Sequence, residues 1–276
     1  MATLGALYAQ TKRRLAGAGM PSPDLDAKLL ISYALGCAPN DVHLKPDMTA
    51  VSNEALEEVI QRRIAHEPVS KITGSRGFYG LEFEVTPDVL DPRADTETLV
   101  DAARAACKPD ARILDICTGT GCIPLALLSV LPSATALAVD VSEAALKVAT
   151  RNAARLGLQN RITFIESDWL DGVEGLFDLI TCNPPYIPTA DIEMLDADVR
   201  LFDPHLALDG GADGLEPYRI ICPQIRNFLR GGGKAFFEIG AAQARDVIKI
   251  VADCGLQVDA VIRDLGGNER VVCVSK

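Results

Sequence analysis

The 276-residue sequence has only three histidines, and its eight cysteines include no C-x-x-C pair. It therefore offers no zinc-ligand spacing, and most of the cysteines are expected to be small buried residues in a reducing compartment. No apolar run approaches the roughly 20 residues that a membrane-spanning helix needs. The opening residues, MATLGALYAQTKRRLAGAG, lack the basic-then-apolar order of a secretory signal. We expect a cytoplasmic protein with no metal and no membrane contact.

Positive charge is also scarce. The 27 lysines and arginines face 38 acidic residues, for a formal net charge of -11. Proteins that bind nucleic acid through its phosphates need a basic surface, so no direct nucleic-acid binding is expected, although a local basic patch is still possible. The remaining composition, 48% hydrophobic and 24% charged, is that of an ordinary globular protein with room for one large and one small domain.

Helical spacing organises the first part of the chain. Leu4 and Leu7 begin one apolar pattern, and further patterns start after Pro23 and near Ser52–Asn53. Glutamates early and arginines late in the last of these patterns suit the helix dipole. We therefore predict a small helical domain at residues 1–75.

Residues 76–90 change to a period of two. In GFYGLEFEVTP, Leu81 and Phe83 fall on one face, while Glu82 and Glu84 fall on the other. Such alternation is typical of half-buried strands. We predict a β-hairpin here that links two domains.

From residue 91 to residue 276 strand and helix patterns alternate. The predicted strands are ARILDI, ATALAVDVS, RITFIESDW, FDLITCNPPY and GKAFFEIG. This order predicts an α/β domain with a doubly wound, mostly parallel sheet that is covered on both faces. The closing QVDAVIRDLGGNERVVCVSK contains two strands joined by a Gly-Gly-Asn turn, and such a hairpin must pair antiparallel.

A glycine loop follows the first strand of this domain. In LDICTGTGCIPLAL, Gly119 and Gly121 stand where the strand turns into a helix, and Asp140 ends the next strand. The separation of about 20 residues is the one expected for an acid that binds ribose hydroxyls. A tight turn alone would also explain the glycines, but the acid favours a nucleoside cofactor. No Gly-Lys-Ser/Thr follows, which excludes a P-loop in this segment.

Three further residues help to choose the nucleoside. Asp115 lies inside the strand before the glycines, where a carboxylate can hold an ammonium group. NAD has no free amino acid group, whereas S-adenosylmethionine has one, and its ribose would reach Asp140. Asp168 and Trp169 end the third strand and could serve the adenine edge and face, although ordinary core packing explains Trp169 equally well.

Asn183-Pro184-Pro185-Tyr186 directly follows the apolar run 177–182. The prolines stop strand hydrogen bonding, which leaves the side-chain carbonyl of Asn183 and the backbone carbonyl of Pro184 as two acceptors facing one point. They would orient a planar NH2 group, and Tyr186 could pack against its flat face. Holding that nitrogen in line with an electrophilic methyl is a proximity mechanism that needs no general base. A turn after a strand explains Asn-Pro, but it explains the full motif less well, so we interpret the motif as an amino-group methylation site.

Over nearly its whole length the sequence resembles the protein-(glutamine-N5) methyltransferases of the HemK or PrmC type. These enzymes methylate the glutamine of the Gly-Gly-Gln tripeptide in peptide-chain release factors and so modulate translation termination. The resemblance is carried by FYGLEFEV, ILDICTGTGC, AVDVSEAAL, CNPPYIP, DPHLALDGGADGLEPYR and GGNERVV. Asn-Pro-Pro-Tyr alone is shared with enzymes that methylate adenine in DNA and RNA, so FYGLEFEV and PHLALDGG make the assignment specific.

This resemblance implies a seven-stranded methyltransferase sheet in residues 91–276 and a release-factor docking role for residues 1–75. S-adenosyl-L-methionine should then contact Cys117, Thr118, Gly119, Thr120, Gly121, Asp140, Trp169 and Asn183. The glutamine should be held by Asn183, Pro184, Pro185 and Tyr186. Two positions depart from the family pattern. Cys117 replaces a usual glycine, where the backbone often needs a positive φ, and Ala94 replaces a proline, which predicts a more mobile loop.

Two other functions stay open. One is a related methyltransferase that acts on a ribosomal-protein glutamine or on an adenine amine in nucleic acid. The other is a binding protein that has lost catalysis, and Cys117 is the only residue that suggests this hypothesis. Among other charged residues, Arg93 could border the cofactor pocket or lie in an exposed turn. Glu238 could be an acid near the site or a buried hydrogen-bonded acid, and His205 is read as a structural loop residue rather than a base.

Overall fold

The computed structural model describes residues 2–51 and 53–276, so Ser52 in the predicted start of the third helix lies outside the described residues. The chain divides into two compact units. The smaller unit spans the residues up to Ser75 together with Asp196–Phe202. The larger unit comprises Arg76–Leu195 and Asp203–Lys276.

The smaller unit is mainly helical. Its elements are β1 (Ala2–Thr3), α1 (Leu4–Gly17), α2 (Pro23–Leu35), α3 (Asp41–Leu44), β2 (Thr49–Ala50), α4 (Glu54–Ile64) and α5 (Val69–Thr73). The Thr3 side chain accepts from the N–H of Ala6 and so caps α1, and Asn53 caps α4 in the same way. The three predicted helices are present as α1, α2 and α4. The short α3 was not predicted, because four residues carry no helical periodicity.

A segment distant in sequence completes the helical unit. Arg63 is only 3% exposed, and its guanidinium contacts the carboxylates of Asp26 at 2.7 Å and Asp198 at 2.8 Å. Asp198 belongs to the short helix Ala197–Phe202. Because a buried guanidinium needs acceptors, this pairing holds the segment to the unit. No local pattern in the sequence predicted that placement.

The larger unit alternates strands and helices. It contains β3 (Ser75–Phe78), β4 (Leu81–Glu84), α6 (Glu97–Ala106), β5 (Arg112–Ile116), α7 (Cys122–Val130), β6 (Thr135–Asp140), α8 (Glu143–Arg155), β7 (Ile162–Glu166) and β8 (Phe177–Cys182). After α9 (Ala197–Phe202) of the helical unit it continues with α10 (Glu216–Phe228), β9 (Leu229–Glu238), α11 (Ala244–Asp253), β10 (Gln257–Arg263) and β11 (Glu269–Ser275). Strands β3 and β4 form a separate two-stranded sheet at the predicted hairpin.

Seven strands form one sheet in the order β10-β11-β9-β8-β5-β6-β7. Strands β7, β6, β5, β8 and β9 pair in parallel, whereas β11 pairs antiparallel with both β9 and β10. The prediction of a mostly parallel, seven-stranded sheet with an antiparallel C-terminal hairpin is confirmed. The order reverses at β5, and the carboxyl ends of β5 and β8 meet there, which is where open α/β sheets bind ligands.

Both faces of the sheet are buried. Along β5, Ile113 packs in one core cluster with Leu125 of α7, while Leu114 packs in a second cluster with Tyr218 of α10 and Val247 of α11. The strand is therefore apolar on both sides, as parallel strands between helices must be. None of the helices in the described part of the chain has the length and apolarity that a bilayer-spanning helix needs.

Candidate active site

A cavity of about 270 Å³ lies within the larger unit, beside the carboxyl ends of β5 to β8. The predicted site residues that line it are Cys117, Thr118, Gly119, Thr120, Asp140, Asp168, Trp169, Asn183 and Pro185. Asp115, Gly121, Pro184 and Tyr186 do not contribute to its wall. The structure therefore brings the glycine loop, the strand-end acids and the Asn-Pro-Pro-Tyr motif to one place.

The glycine loop has a left-handed backbone at three positions. Cys117, Gly119 and Gly121 have φ values of 59°, 54° and 78°. Glycine adopts this region freely, whereas a residue with a Cβ is strained there. A Cβ at Gly121 would also lie 3.2 Å from that of Ala149 in α8, so this glycine serves close packing as well. Cys117 thus occupies a position of the kind that the family glycine suggested.

Asp140 is fixed by backbone donors. Its Oδ2 accepts from the N–H of Gly119 at 2.8 Å, and its Oδ1 accepts from the N–H of Ser142 at 3.0 Å. Burial raises the pKa of Asp140, and these two N–H groups oppose that rise. Each carboxylate oxygen retains a second lone pair. The arrangement suits an acceptor for ribose hydroxyls, and that role stays a prediction.

Asp115 is completely buried beneath the loop. Its Oδ1 accepts from the hydroxyl of Thr181 at 2.6 Å, and hydrogen bonding from Thr118 also favours its charged form. Burial raises the pKa of Asp115 to about 7. A nearby ammonium would favour the ionised carboxylate. Thr118 is itself a residue of the cavity wall. A buried carboxyl group next to this wall fits a polar ligand, and the ammonium-binding role of Asp115 stays a prediction.

Trp169 belongs both to the core and to the cavity wall. It packs against the second core cluster while lining the cavity, and Asp168 before it is exposed. Its φ of 54° is uncommon for a bulky residue. The hydroxyl of Ser167 shares its single hydrogen between the carbonyls of Trp169 at 3.1 Å and Asp171 at 2.7 Å, which holds this turn. The two interpretations of Trp169 are therefore compatible.

Asn183 stands at the end of β8. Its Nδ2 lies 3.4 Å from the hydroxyl oxygen of Thr96, to which it donates. The backbone carbonyl of Tyr186 accepts from Nε2 of Gln243 at 2.9 Å, and burial raises the pKa of Tyr186 to about 12. This hydrogen bond fixes the carbonyl of Tyr186, so the backbone that leaves the Asn-Pro-Pro-Tyr motif has a defined position. Contact of the Pro184 carbonyl and the Tyr186 ring with a substrate stays a prediction.

The loop at residues 208–214 packs against the end of the Asn-Pro-Pro-Tyr motif. The N–H of Ile187 donates to the carbonyl of Leu208 at 3.0 Å, and the N–H of Gly210 donates to that of Ile187 at 2.8 Å. A Cβ at Gly210 would lie 2.9 Å from the carbonyl oxygen of Pro185. A Cβ at Gly214 would collide with the carbonyl oxygen of Tyr186. This close approach is the physical reason for glycines in the DPHLALDGGADG segment.

Two side-chain amides, of which Asn152 is buried and Gln243 is half-buried, were absent from the predicted site. Gln243 holds the carbonyl of Tyr186, and Asn152, with no exposed surface, holds the glycine loop. Nδ2 of Asn152 donates to the carbonyls of Thr120 and Glu84 at 3.0 and 3.1 Å, and its Oδ1 accepts from the N–H of Glu84 at 2.7 Å. Neither amide stands in a recognisable motif, so no sequence signal could have identified it.

Other charged residues have definite places. Arg93 lines the cavity and pairs with Asp203 at 2.5 Å. Glu238 is 1% exposed, and burial raises the pKa of its carboxyl to about 7. The side chain of His205 is 66% exposed and is not part of the wall. The wall also includes residues 88–91 and Pro204, Leu206 and Ala207, which were not predicted to line it. The last three lie in the PHLALDGG segment that carried the family resemblance, but no site role was assigned to it.

The chain matches two family models. Residues 6–74 match the PrmC N-terminal domain, and residues 90–201 match the Methyltransferase small domain. A Rhodospirillum rubrum protein named release factor glutamine methyltransferase is 47% identical over 97% of this chain and 83% of its own length. A protein of the same name from Agrobacterium fabrum is 42% identical over 98% of this chain and 96% of its own.

Solved structures with a similar fold include other methyltransferases. A ribosomal protein L11 methylase from Lactobacillus delbrueckii subsp. bulgaricus has a TM-score of 0.52 at 22% identity, over 70% of this chain and 83% of that one. A methyltransferase from Pyrococcus furiosus has a TM-score of 0.53 at 18% identity, over 78% of this chain and 95% of that one. At such identities the likeness shows the fold alone.

Proposed function

The chain belongs to the release factor glutamine methyltransferase family, and we propose that it transfers a methyl group from S-adenosyl-L-methionine to the side-chain amide nitrogen N5 of a release-factor glutamine. The acceptor in this proposal is the glutamine of the Gly-Gly-Gln tripeptide, and the consequence is modulation of translation termination. The family, the enzyme class and the cofactor are those that the resemblance implied.

One observation carries the proposal. Asn183 and Pro185 line the same cavity as Gly119 and Asp140. An amide acceptor therefore opens onto the space that a nucleoside would occupy between the glycine loop and the acid. This juxtaposition is what a transfer between a bound cofactor and an amino group requires.

The chain's own residues bind and orient. Asp140 and the loop at 117–121 would hold the nucleoside, and Trp169 would flank it. When bound, S-adenosylmethionine supplies an electrophilic methyl group. Oδ1 of Asn183 and the carbonyl of Pro184 would accept the two N–H bonds of the glutamine amide and so direct its nitrogen toward the cofactor. As the new N–C bond forms, the bond between the methyl group and sulfur would break, and the amide nitrogen would release one proton to solvent.

The domain roles belong to the same proposal. The helical domain at 1–75 docks the release factor, the hairpin at 76–90 links it, and residues 91–276 carry out methyl transfer. Direct nucleic-acid binding is not part of this function, and the net charge of -11 supports that view. A cytoplasmic location is proposed as well, because translation takes place there.

Mass spectrometry tests the proposal. A purified release factor is incubated with the protein and S-adenosylmethionine, in parallel with Asn183→Ala and with Asn160→Ala, which changes an exposed asparagine in the turn before β7. We expect one methyl group on the Gly-Gly-Gln glutamine with the unchanged protein and with Asn160→Ala, and none with Asn183→Ala. Methylation of ribosomal protein or nucleic acid instead, in the same assay, would contradict the proposed acceptor.

A further inference from the structure

The side-chain amide of Asn183 can face the cavity in two ways. It presents either its oxygen, which accepts, or its NH2 group, which donates. Only the oxygen can receive the N–H of a substrate amide. The two ends of the amide are nearly equal in size, so shape does not select one of them. The function proposed above therefore requires neighbouring groups that turn the oxygen toward the cavity.

Thr96 is the first group that selects this orientation of the amide. Its side chain is buried, with 2% exposed, and its hydroxyl oxygen lies 3.4 Å from Nδ2 of Asn183. A threonine immediately before a helix often caps it, yet the Thr96 hydroxyl makes no capping bond to α6. Its oxygen is thus free to accept from Asn183. A hydroxyl that accepts still has its own hydrogen to donate.

Glu238 provides an acceptor for that hydrogen. Cys182 of β8 pairs with Phe237 of β9, so Asn183, directly after β8, lies beside Glu238, the last residue of β9. Glu238 is 1% exposed. Burial raises the pKa of its carboxyl group, while hydrogen bonding from Thr96, the positive charge of Arg270 and hydrogen bonding from Asn183 oppose that rise. The carboxylate, Thr96 and Asn183 therefore share one buried polar cluster.

We propose that Thr96 and Glu238 are positioning residues that fix the Asn183 amide with Nδ2 toward them and Oδ1 toward the cavity. The carboxylate orients the Thr96 hydroxyl, and the hydroxyl and the carboxylate together attract the NH2 end of Asn183. The reversed amide would place Oδ1 against two acceptors and would face the substrate N–H with another donor. The expected effect on catalysis rests on the proposed function. The orientation of the Asn183 amide does not depend on that function.

Kinetics of release-factor methylation test the consequence. Thr96→Val keeps the shape and removes the hydroxyl, and Thr96→Ser keeps the hydroxyl. We expect kcat to fall on the order of tenfold or more in Thr96→Val, with cofactor affinity within about twofold, because one orienting hydrogen bond is lost. Thr96→Ser should recover most of that loss. Equal kcat values in the two variants would contradict the proposal.

A second measurement needs no substrate. The side-chain NH2 signal of Asn183 is identified in a ¹⁵N spectrum by its absence in Asn183→Asp, and its exchange with solvent is followed. We expect exchange on the order of tenfold faster in Thr96→Val than in Thr96→Ser. Equal exchange would overturn the proposed orientation, whether or not the release factor proves to be the substrate. Thermal unfolding verifies that both proteins fold, and Thr96→Ala replaces Thr96→Val if that variant does not.

Discussion

The backbone N–H of Gly119 donates a hydrogen bond of 2.8 Å to Oδ2 of Asp140. Two residues that were each predicted to contact the cofactor are thus also bound to one another. The bond joins the loop after β5 to the end of the neighbouring strand β6. The glycine loop and the acid therefore form one connected part of the cavity wall.

Asp140→Ala should weaken both the fold and cofactor binding. It leaves the N–H groups of Gly119 and Ser142 without their acceptor, which costs about 1–3 kcal/mol of unfolding free energy. The dissociation constant for S-adenosylmethionine should rise by about tenfold or more. Urea unfolding and calorimetric titration measure the two effects. Asp110→Ala, at an exposed turn, is the control, and equal affinities in the two variants would contradict the prediction.

Cys117→Gly should stabilise the protein relative to Cys117→Ala by about 1 kcal/mol, because the φ of 59° strains any residue with a Cβ. Both variants lose the sulfur, so their difference in urea unfolding isolates the backbone effect. An alanine variant as stable as the glycine variant would show that no strain is stored at this position.

Micromolar affinity of the unchanged protein for S-adenosylmethionine would remove the basis of the hypothesis that this chain binds without catalysing.

Asp115 should make stability depend on pH. Its pKa rises from 3.8 to about 7 on folding, so the folded protein holds a proton that the unfolded chain releases between these values. The stabilising contribution is complete below pH 3.8 and is lost as the pH rises to 7. In Asp115→Asn the fall of unfolding free energy between pH 4 and 7 should be shallower by up to about 1.4 kcal/mol per pH unit.

The same variant tests the ligand role of Asp115. If its carboxylate holds the cofactor ammonium, saturating S-adenosylmethionine should stabilise the charged form and lower the pKa. The difference between the pH profiles of the unchanged protein and of Asp115→Asn should then shrink when the cofactor is present. An unaltered difference would argue against contact between Asp115 and the ammonium.

Gly214→Ala should disturb the Asn-Pro-Pro-Tyr motif. The added methyl meets the carbonyl oxygen of Tyr186, so the loop must move away from Gln243, which binds that oxygen. Gly267→Ala is the matched control, because its φ of 84° is equally unfavourable while no atom of the described residues lies within 4 Å of the added atom. We expect kcat to fall on the order of tenfold or more in Gly214→Ala and to stay unchanged in Gly267→Ala. Similar kcat values would contradict a role for this close approach.

Arg63→Met should loosen the helical unit. It leaves the carboxylate of Asp26, itself 7% exposed, buried without its cation, at a cost of about 3–5 kcal/mol. Hydrogen exchange should show lost protection in residues 196–202, since Asp198 loses the same partner. Arg13→Met, at an exposed position, is the control. Unchanged protection at 196–202 would show that the ion pair does not hold this segment.

Much of the fold followed from short-range patterns. Helical spacing predicted α1, α2 and α4, and alternating strands and helices predicted the parallel sheet, because these periodicities reflect local backbone geometry. The glycine loop, Asp140 and Asn183 were recognisable as cavity-lining residues because each lies at or just after the carboxyl end of a strand, and the ends of parallel strands meet at one edge.

Contacts between distant segments were decided only in three dimensions. Asn152, Gln243 and Thr96 each hold a site element from 32, 57 and 87 residues away in sequence. A hydrogen bond of this kind leaves no periodicity, because it depends on where two folded segments meet. The sequence by itself therefore determined which residues lie at the ends of strands, the cofactor class and the acceptor motif. The tertiary structure decided which polar groups of distant segments meet, because burial forces such groups to find partners wherever the fold brings them.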